Sequence, residues 1–179
     1  MARYSPRELA YAGLFGAAAL LLPVLFHLVH LGSVFMPMYL PLVTLAFFVG
    51  PLPAAVTAAV VPLLSGAVSG MPPFYPPIAI FMALELVAMC AVLAGVRRQR
   101  PRANTLVLLF GVLLLGRLLH VALVHLFATF MALPAPFLAG VSFVSGWPGI
   151  VLMLVVIPAV VRLAGARHAL PADLTGAKG

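Results

Sequence analysis

Apolar residues fill six long stretches of this chain, and polar residues are confined to the breaks between them. The stretches cover about 8–31, 38–50, 53–69, 77–96, 104–132 and 137–164. A bilayer core of about 30 Å is crossed by about 20 helical residues. Each stretch is therefore predicted as a transmembrane helix, the second a short one. Pro62 is predicted to kink the third, because proline removes a backbone donor and crowds the preceding turn. No soluble domain, long linker or internal repeat breaks the pattern. The expectation is an all-α bundle of six transmembrane helices over 1–166, followed by a polar cytoplasmic tail over 167–179.

Two breaks differ from the rest. Residues 32–41 read G-S-V-F-M-P-M-Y-L-P, and residues 69–77 read S-G-M-P-P-F-Y-P-P. Both are proline-rich, uncharged and tipped with aromatic residues, so they favour rigid turns over helix. The two apolar runs between them form a hairpin if they cross a bilayer. Both breaks then emerge on one side as adjacent lids, suited to holding a small molecule.

Composition fixes the solvent. Hydrophobic residues make up 65% of the 179 and charged residues 7%, with mean hydropathy +1.24. A soluble domain carries roughly a quarter charged residues, and 179 residues cannot bury this much apolar surface. The net charge of +7 does not indicate nucleic acid, because the basic residues form neither a face nor an arm suited to phosphate. The first apolar run is longer than a signal-peptide core and lacks a small-residue cleavage site, so it reads as a retained span. The lone Cys90 excludes an internal disulfide and reads as an apolar packing residue.

The basic residues orient the chain. Arg3 and Arg7 precede the first span, Arg97, Arg98, Arg100 and Arg102 separate the fourth from the fifth, and Arg162, Arg167 and Lys178 end or follow the sixth. Six spans bring all three groups to one side, which the positive-inside rule makes the cytoplasm. Both termini are then cytoplasmic, and 32–37, 70–76 and 133–136 face outward. A multi-pass protein of the cytoplasmic membrane is expected.

Charges remain inside. Glu85 lies near the middle of the fourth span and Arg117 near the middle of the fifth. A charge at the bilayer centre is costly and faces the protein interior or a wet cavity. The two either pair with each other or touch a ligand, and a pair can floor a pocket. His27, His30, His120 and His125 fall in the outer halves of the first and fifth spans, where each needs a polar partner. Trp147 falls at intermediate depth in the sixth, as an anchor or a pocket wall. The candidate binding residues are His30, Ser33, Met36, Tyr39, Glu85, Arg117, His120 and Trp147. Arg117 and His120 supply donors to an anionic or acceptor-rich group, and Met36, Tyr39 and Trp147 supply apolar and stacking surface.

Other chemistry finds less support. Ser65 and Ser69 lack a hydrolase motif, and small residues with serine are common helix-packing material. Glu85 stands alone, without the clustered acids that hold Mg²⁺. No Walker motif is present. The histidines lack Cys or Asp companions for a metal. No catalytic residue, metal or cofactor is expected. An intramembrane enzyme built on Ser69 or Glu85 and a solitary secondary carrier are the alternatives, although no inverted repeats suggest the latter.

The motif order P-V-L-F-H, G-S-V-F-M-P-M-Y-L-P, F-F-V-G-P-L, S-G-M-P-P, M-A-L-E-L, G-R-L-L-H and V-S-G-W-P-G-I-V-L resembles the substrate-binding S components of energy-coupling-factor (ECF) vitamin importers. It is most similar to the branch with pantothenate- and hydroxymethylpyrimidine-type members, over about residues 8–164. It departs at Tyr39, in Pro37-Met38-Tyr39-Leu40-Pro41, where relatives often have histidine. The resemblance implies a binding subunit rather than an enzyme. It implies a vitamin held by the outer helix halves under the loop after the first span. It also implies docking on a transmembrane coupling subunit driven by a pair of cytoplasmic ATPases, followed by toppling in the bilayer and inward release. Docking in that family uses small residues four apart on the first helix, which here are Ala12 with Gly16 and Gly13 with Ala17.

Overall fold

Serine, proline and glutamate open the first helix together. The Ser5 N–H and hydroxyl both donate to Glu8 Oε2, at 3.2 and 3.3 Å, and the Glu8 N–H donates back to Ser5 Oγ at 3.2 Å. This capping box satisfies donors that a helix start leaves open, and Pro6 occupies the first turn, where its missing N–H costs nothing. The computed structural model describes residues 5–28, 35–75, 77–130 and 147–168. Among them the chain forms α1 (Pro6–Leu28), α2 (Tyr39–Leu45), α3 (Pro51–Ser69), α4 (Ile78–Gln99), α5 (Thr105–Phe130) and α6 (Trp147–His168), with no strand. Pro51 starts α3, and Gly70 ends it in the left-handed conformation, φ 71°. Asn104 caps α5, accepting from Leu106 N–H at 2.9 Å and Val107 N–H at 3.4 Å.

Five of these helices, all but α2, are long and apolar enough to cross a bilayer. Their outward faces remain apolar: Leu28 is 75% exposed, Val68 78% and Phe130 80%. Helices that are hydrophobic on every side belong in lipid, so this is a multi-pass helical membrane protein. α3 packs most extensively against α4, and α4 against α5, while α1 leans on α2 and α3. α6 meets α2 and α5. It runs on to His168, two residues into the stretch expected as tail.

The second predicted span takes another form than one continuous helix. Residues 38–50 contain only the seven-residue helix α2, followed by a turn. Seven residues rise about 10 Å, a third of the hydrocarbon thickness. Pro37 precedes α2 and Pro41 stands in its first turn, and the helix gives way to a turn at Ala46 before Gly50-Pro51 opens α3. The segment lies at the centre of the core. Tyr39, Pro41, Leu42, Val43, Thr44 and Leu45 are all buried, among α1, α3, α4 and α6. Irregular backbone at membrane depth survives only where protein covers it and satisfies its polar groups. Cys90 Sγ, 3.4 Å from the Leu42 carbonyl, and Thr44 Oγ1, 2.6 Å from the Leu40 carbonyl, contribute to that.

The chain after α2 ends beside the start of α1. The Gly50 N–H donates to Glu8 Oε1 at 2.9 Å, so the α1 capping carboxylate also caps the entry to α3. Glu8 and Gly50 share a cleft with Arg97 and Arg98 from the end of α4. The starts of α1 and α3 and the end of α4 therefore gather at one basic end. The predicted outer loop 133–136 lies outside the described residues, as do Arg3 and Lys178.

Candidate functional site

Glu85 sits two turns into α4, 3% exposed. Ile78, Met82 and Glu85 recur at helical spacing on one face of α4. On the facing side of α5, Gly116 removes the obstacle. A Cβ there would collide with Met89 Sδ and lie 3.1 Å from Glu85 Oε1. The missing side chain thus lets α4 bring its carboxylate against α5.

Two side chains from distant segments meet that carboxylate. The Tyr39 hydroxyl is 2.8 Å from Glu85 Oε2, and His120 Nδ1 is 2.9 Å from the same oxygen. The Tyr39 hydroxyl donates to that oxygen, and His120 shares the same oxygen through Nδ1. Each buried polar side-chain atom among the described residues has a partner, as a low-dielectric interior requires. With Nδ1 engaged, His120 keeps Nε2 for what lies above it.

Above it lies a cavity of about 360 Å³, within the range of small-molecule sites. Its floor is Tyr39 and His120. Its walls are Met36, Met38, Met71 and Met82, with Pro37, Pro72, Pro73, Pro23 and Ile78. Four of the eight methionines of the chain are therefore here. Met36 holds a left-handed backbone, φ 48°, unusual for a residue with a side chain. The 71–73 segment is held down on α3: Ser65 Oγ donates to the Met71 carbonyl at 2.7 Å, and Ser69 Oγ reaches it at 3.2 Å. Gly66 allows that approach, since a Cβ there would lie 2.7 Å from the Pro72 carbonyl oxygen. The two serines thus anchor the second of the two proline-rich segments.

The predicted site residues divide as follows. Met36, Tyr39 and His120 line the cavity, and Glu85 backs it. The Glu85 carboxylate meets His120 and Tyr39, while Arg117, expected either to pair with Glu85 or to touch a ligand, has a guanidinium nitrogen 3.7 Å from Met36 Sδ. Arg117 and His120 are three residues apart on one face of α5, and the depth of Glu85 selects the latter. Trp147 borders a small separate recess with Arg117, Phe110 and Ile150. His125 is exposed and hydrogen-bonded to the Val121 carbonyl of its own helix, away from the cavity. His30 and Ser33 lie outside the described residues, and so does the His27 side chain. Among the described residues no three metal-ligating side chains cluster.

The small residues of α1 also divide. Gly16 is buried against α3, its Cβ position 3.4 Å from Thr57 Cγ2 and 3.7 Å from Val61 Cγ2. Gly13 has nothing within 4 Å of its Cβ position, and Ala17 beside it is exposed. Ala12 is half-buried. Ala12 with Gly16 therefore belongs largely to internal packing, and Gly13 with Ala17 is the open edge.

Sequence reasoning missed Met38, Met71, Met82, Ile78 and Gly116. Met82 and Ile78 were accessible from their spacing to Glu85 along α4, and Gly116 from its place beside Arg117. The fold and site define a multi-pass helical membrane protein with a cavity over a buried acid. No family model, curated protein or solved structure matches this chain.

Proposed function

We propose that this chain is the substrate-binding subunit of an ECF-type importer. It captures a small water-soluble vitamin or precursor from outside and delivers it inward when docked on an ATP-driven coupling module. The observation that carries this reading is the cavity of about 360 Å³ lined by both proline-rich segments, with His120 on its floor held by Glu85. A pocket that is mostly apolar, with few fixed polar groups, suits capture of one small molecule. The motif order given above supports the family, and the open edge at Gly13 and Ala17 supports close approach by a partner helix. In this reading the chain crosses the cytoplasmic membrane six times, α2 with its flanking turns completing one crossing. The basic end and both termini are cytoplasmic. His120, with Arg117 behind Met36, favours a ligand carrying a carboxylate or several acceptors, pantothenate-like before thiamine-like.

A second reading rests on the same acid. Glu85 and His120 form a protonatable pair at the cavity floor, which also suits a solitary proton-coupled carrier. Purification of the tagged full chain from its native membrane separates the two. The importer reading expects co-elution of a transmembrane subunit with paired ATPases, lost in Gly13→Trp, and uptake that stops when ATP is depleted. A chain that elutes alone, with uptake that survives ATP depletion and stops with a protonophore, contradicts it and supports the carrier. Orientation has its own check in a Cys90→Ala background. Met71→Cys is expected to react with an impermeant thiol reagent from outside, and Gln99→Cys is not; the reverse pattern contradicts the topology.

A further inference from the structure

A second hollow lies at the opposite end of α3 and α4 from the cavity. It is a cleft of about 710 Å³, bordered by Glu8, the 46–53 segment, Ala94, Arg97, Arg98 and Pro101. One side is apolar, with Ala46, Phe47, Phe48, Val49 and Leu52. Beside these stand two guanidinium groups from the last turn of α4. Arg97 is already positioned. Its Nη1 donates to the Ala103 carbonyl at 3.2 Å, and its guanidinium stands 5.6 Å from the centre of the Phe47 ring. Arg98 is exposed. Arg100 and Arg102 border a neighbouring depression across Pro101.

We propose that this cleft binds the phosphate of an anionic phospholipid, with Arg97 and Arg98 as the phosphate-binding residues. Guanidinium forks match phosphate oxygens in bidentate geometry, and holding Arg97 in advance reduces the entropy lost on binding. The acid in the cleft offsets them only in part: Glu8 keeps its negative charge and interacts electrostatically with Arg98, while its oxygens are directed at neutral donors. Glu8 accepts from Gly50 N–H, Ser5 N–H and the Ser5 hydroxyl, so its oxygens are occupied by the capping box and the α3 entry. One carboxylate then faces two guanidiniums, with two more adjacent. A lipid fits better than a soluble phosphoester because the cleft lies where the membrane-spanning helices α3 and α4 end, with the exposed Leu52 side chain offering apolar surface beside the charges. Basic clefts between helices at a membrane face take lipid headgroups in this manner.

Native mass spectrometry of the full chain tests the site, after extraction from nanodiscs of equal phosphatidylglycerol and phosphatidylcholine. Wild type is expected to retain phosphatidylglycerol over phosphatidylcholine by about tenfold. Arg98→Gln, which alters an exposed side chain, is expected to cut that preference by about fivefold. Arg97→Gln is expected to do the same, and Arg162→Gln on α6 to leave it unchanged. Millimolar glycerol phosphate is expected to leave the adduct in place. Equal retention of the two lipids overturns the proposal, as does an Arg98→Gln preference equal to wild type. A loss in Arg162→Gln matching that in Arg98→Gln assigns the effect to general surface charge and also overturns it. Displacement by glycerol phosphate makes the occupant a soluble phosphoester and overturns the lipid assignment.

Discussion

The two ends of α4 treat charge in opposite ways. Toward its start, Glu85 is buried, and its partners come from 46 and 35 residues away in sequence. At its end, the polar groups are served locally. Ser5 and Glu8 are three residues apart, Asn104 caps the helix that follows it, and Arg97 reaches a carbonyl six residues on. The Glu8–Gly50 contact is the exception, spanning 42 residues. The difference follows from the solvent. At the membrane face water shares the work of satisfying polar groups. At mid-depth protein must do all of it, so distant segments are drawn to a single carboxylate.

This contrast predicts a gradient of stability effects, read as thermal unfolding of each variant in one detergent. Glu85→Ala is expected to have the largest effect, about 3 kcal/mol, because it strands the Tyr39 hydroxyl and His120 Nδ1 in the core. A loss below that of a helix cap would place Glu85 in a wetter environment and dissolve the contrast. Gly116→Ala follows at about 2 kcal/mol, since its new methyl group meets Met89 Sδ and Glu85 Oε1. An unchanged midpoint there would mean that α4 and α5 stand further apart.

Tyr39→Phe is expected to cost about 1.5 kcal/mol by removing one donor while keeping the ring. The double variant Tyr39→Phe/Glu85→Ala is expected to lose less than the sum of the singles, because both remove one hydrogen bond. Strict additivity would argue against the pairing. Asn104→Ala at the basic end is expected to cost about 1 kcal/mol, the usual loss of a side-chain cap. A loss as large as that of Glu85→Ala would erase the distinction between the two ends.

These ends also differed in how far the sequence disclosed them. The basic end was plain, because arginines clustered at 97–102 need no tertiary knowledge to be placed at a membrane face. The five long helices were equally plain from their length and apolar content. The burial of Glu85 and Arg117 was legible too, since a lone charge in an apolar helix has nowhere else to go. The partner of Glu85 was not. Arg117 and His120 share a face of α5, and only the relative depth of two packed helices decides between them. The short α2 was hidden for a similar reason. An apolar run of 13 residues over 38–50 reads alike whether it crosses lipid or plugs a core, and the prolines alone hinted at the second. The methionine lining escaped because its members come from the 36–39 segment, the 71–73 segment and α4, which only folding unites.

The central claim is that the cavity above Tyr39, Glu85 and His120 holds a small molecule. Mass spectrometry of the compounds released when purified protein is denatured tests it most directly. One compound is expected in near-stoichiometric yield from wild type and from Arg98→Gln. It is expected to be lost from Met82→Trp, whose indole fills the cavity while Glu85, Tyr39 and His120 all remain in the chain, and to be reduced at least tenfold in His120→Ala. Equal yield of that compound from wild type and Met82→Trp, or no compound from wild type under any mild extraction, would contradict the account.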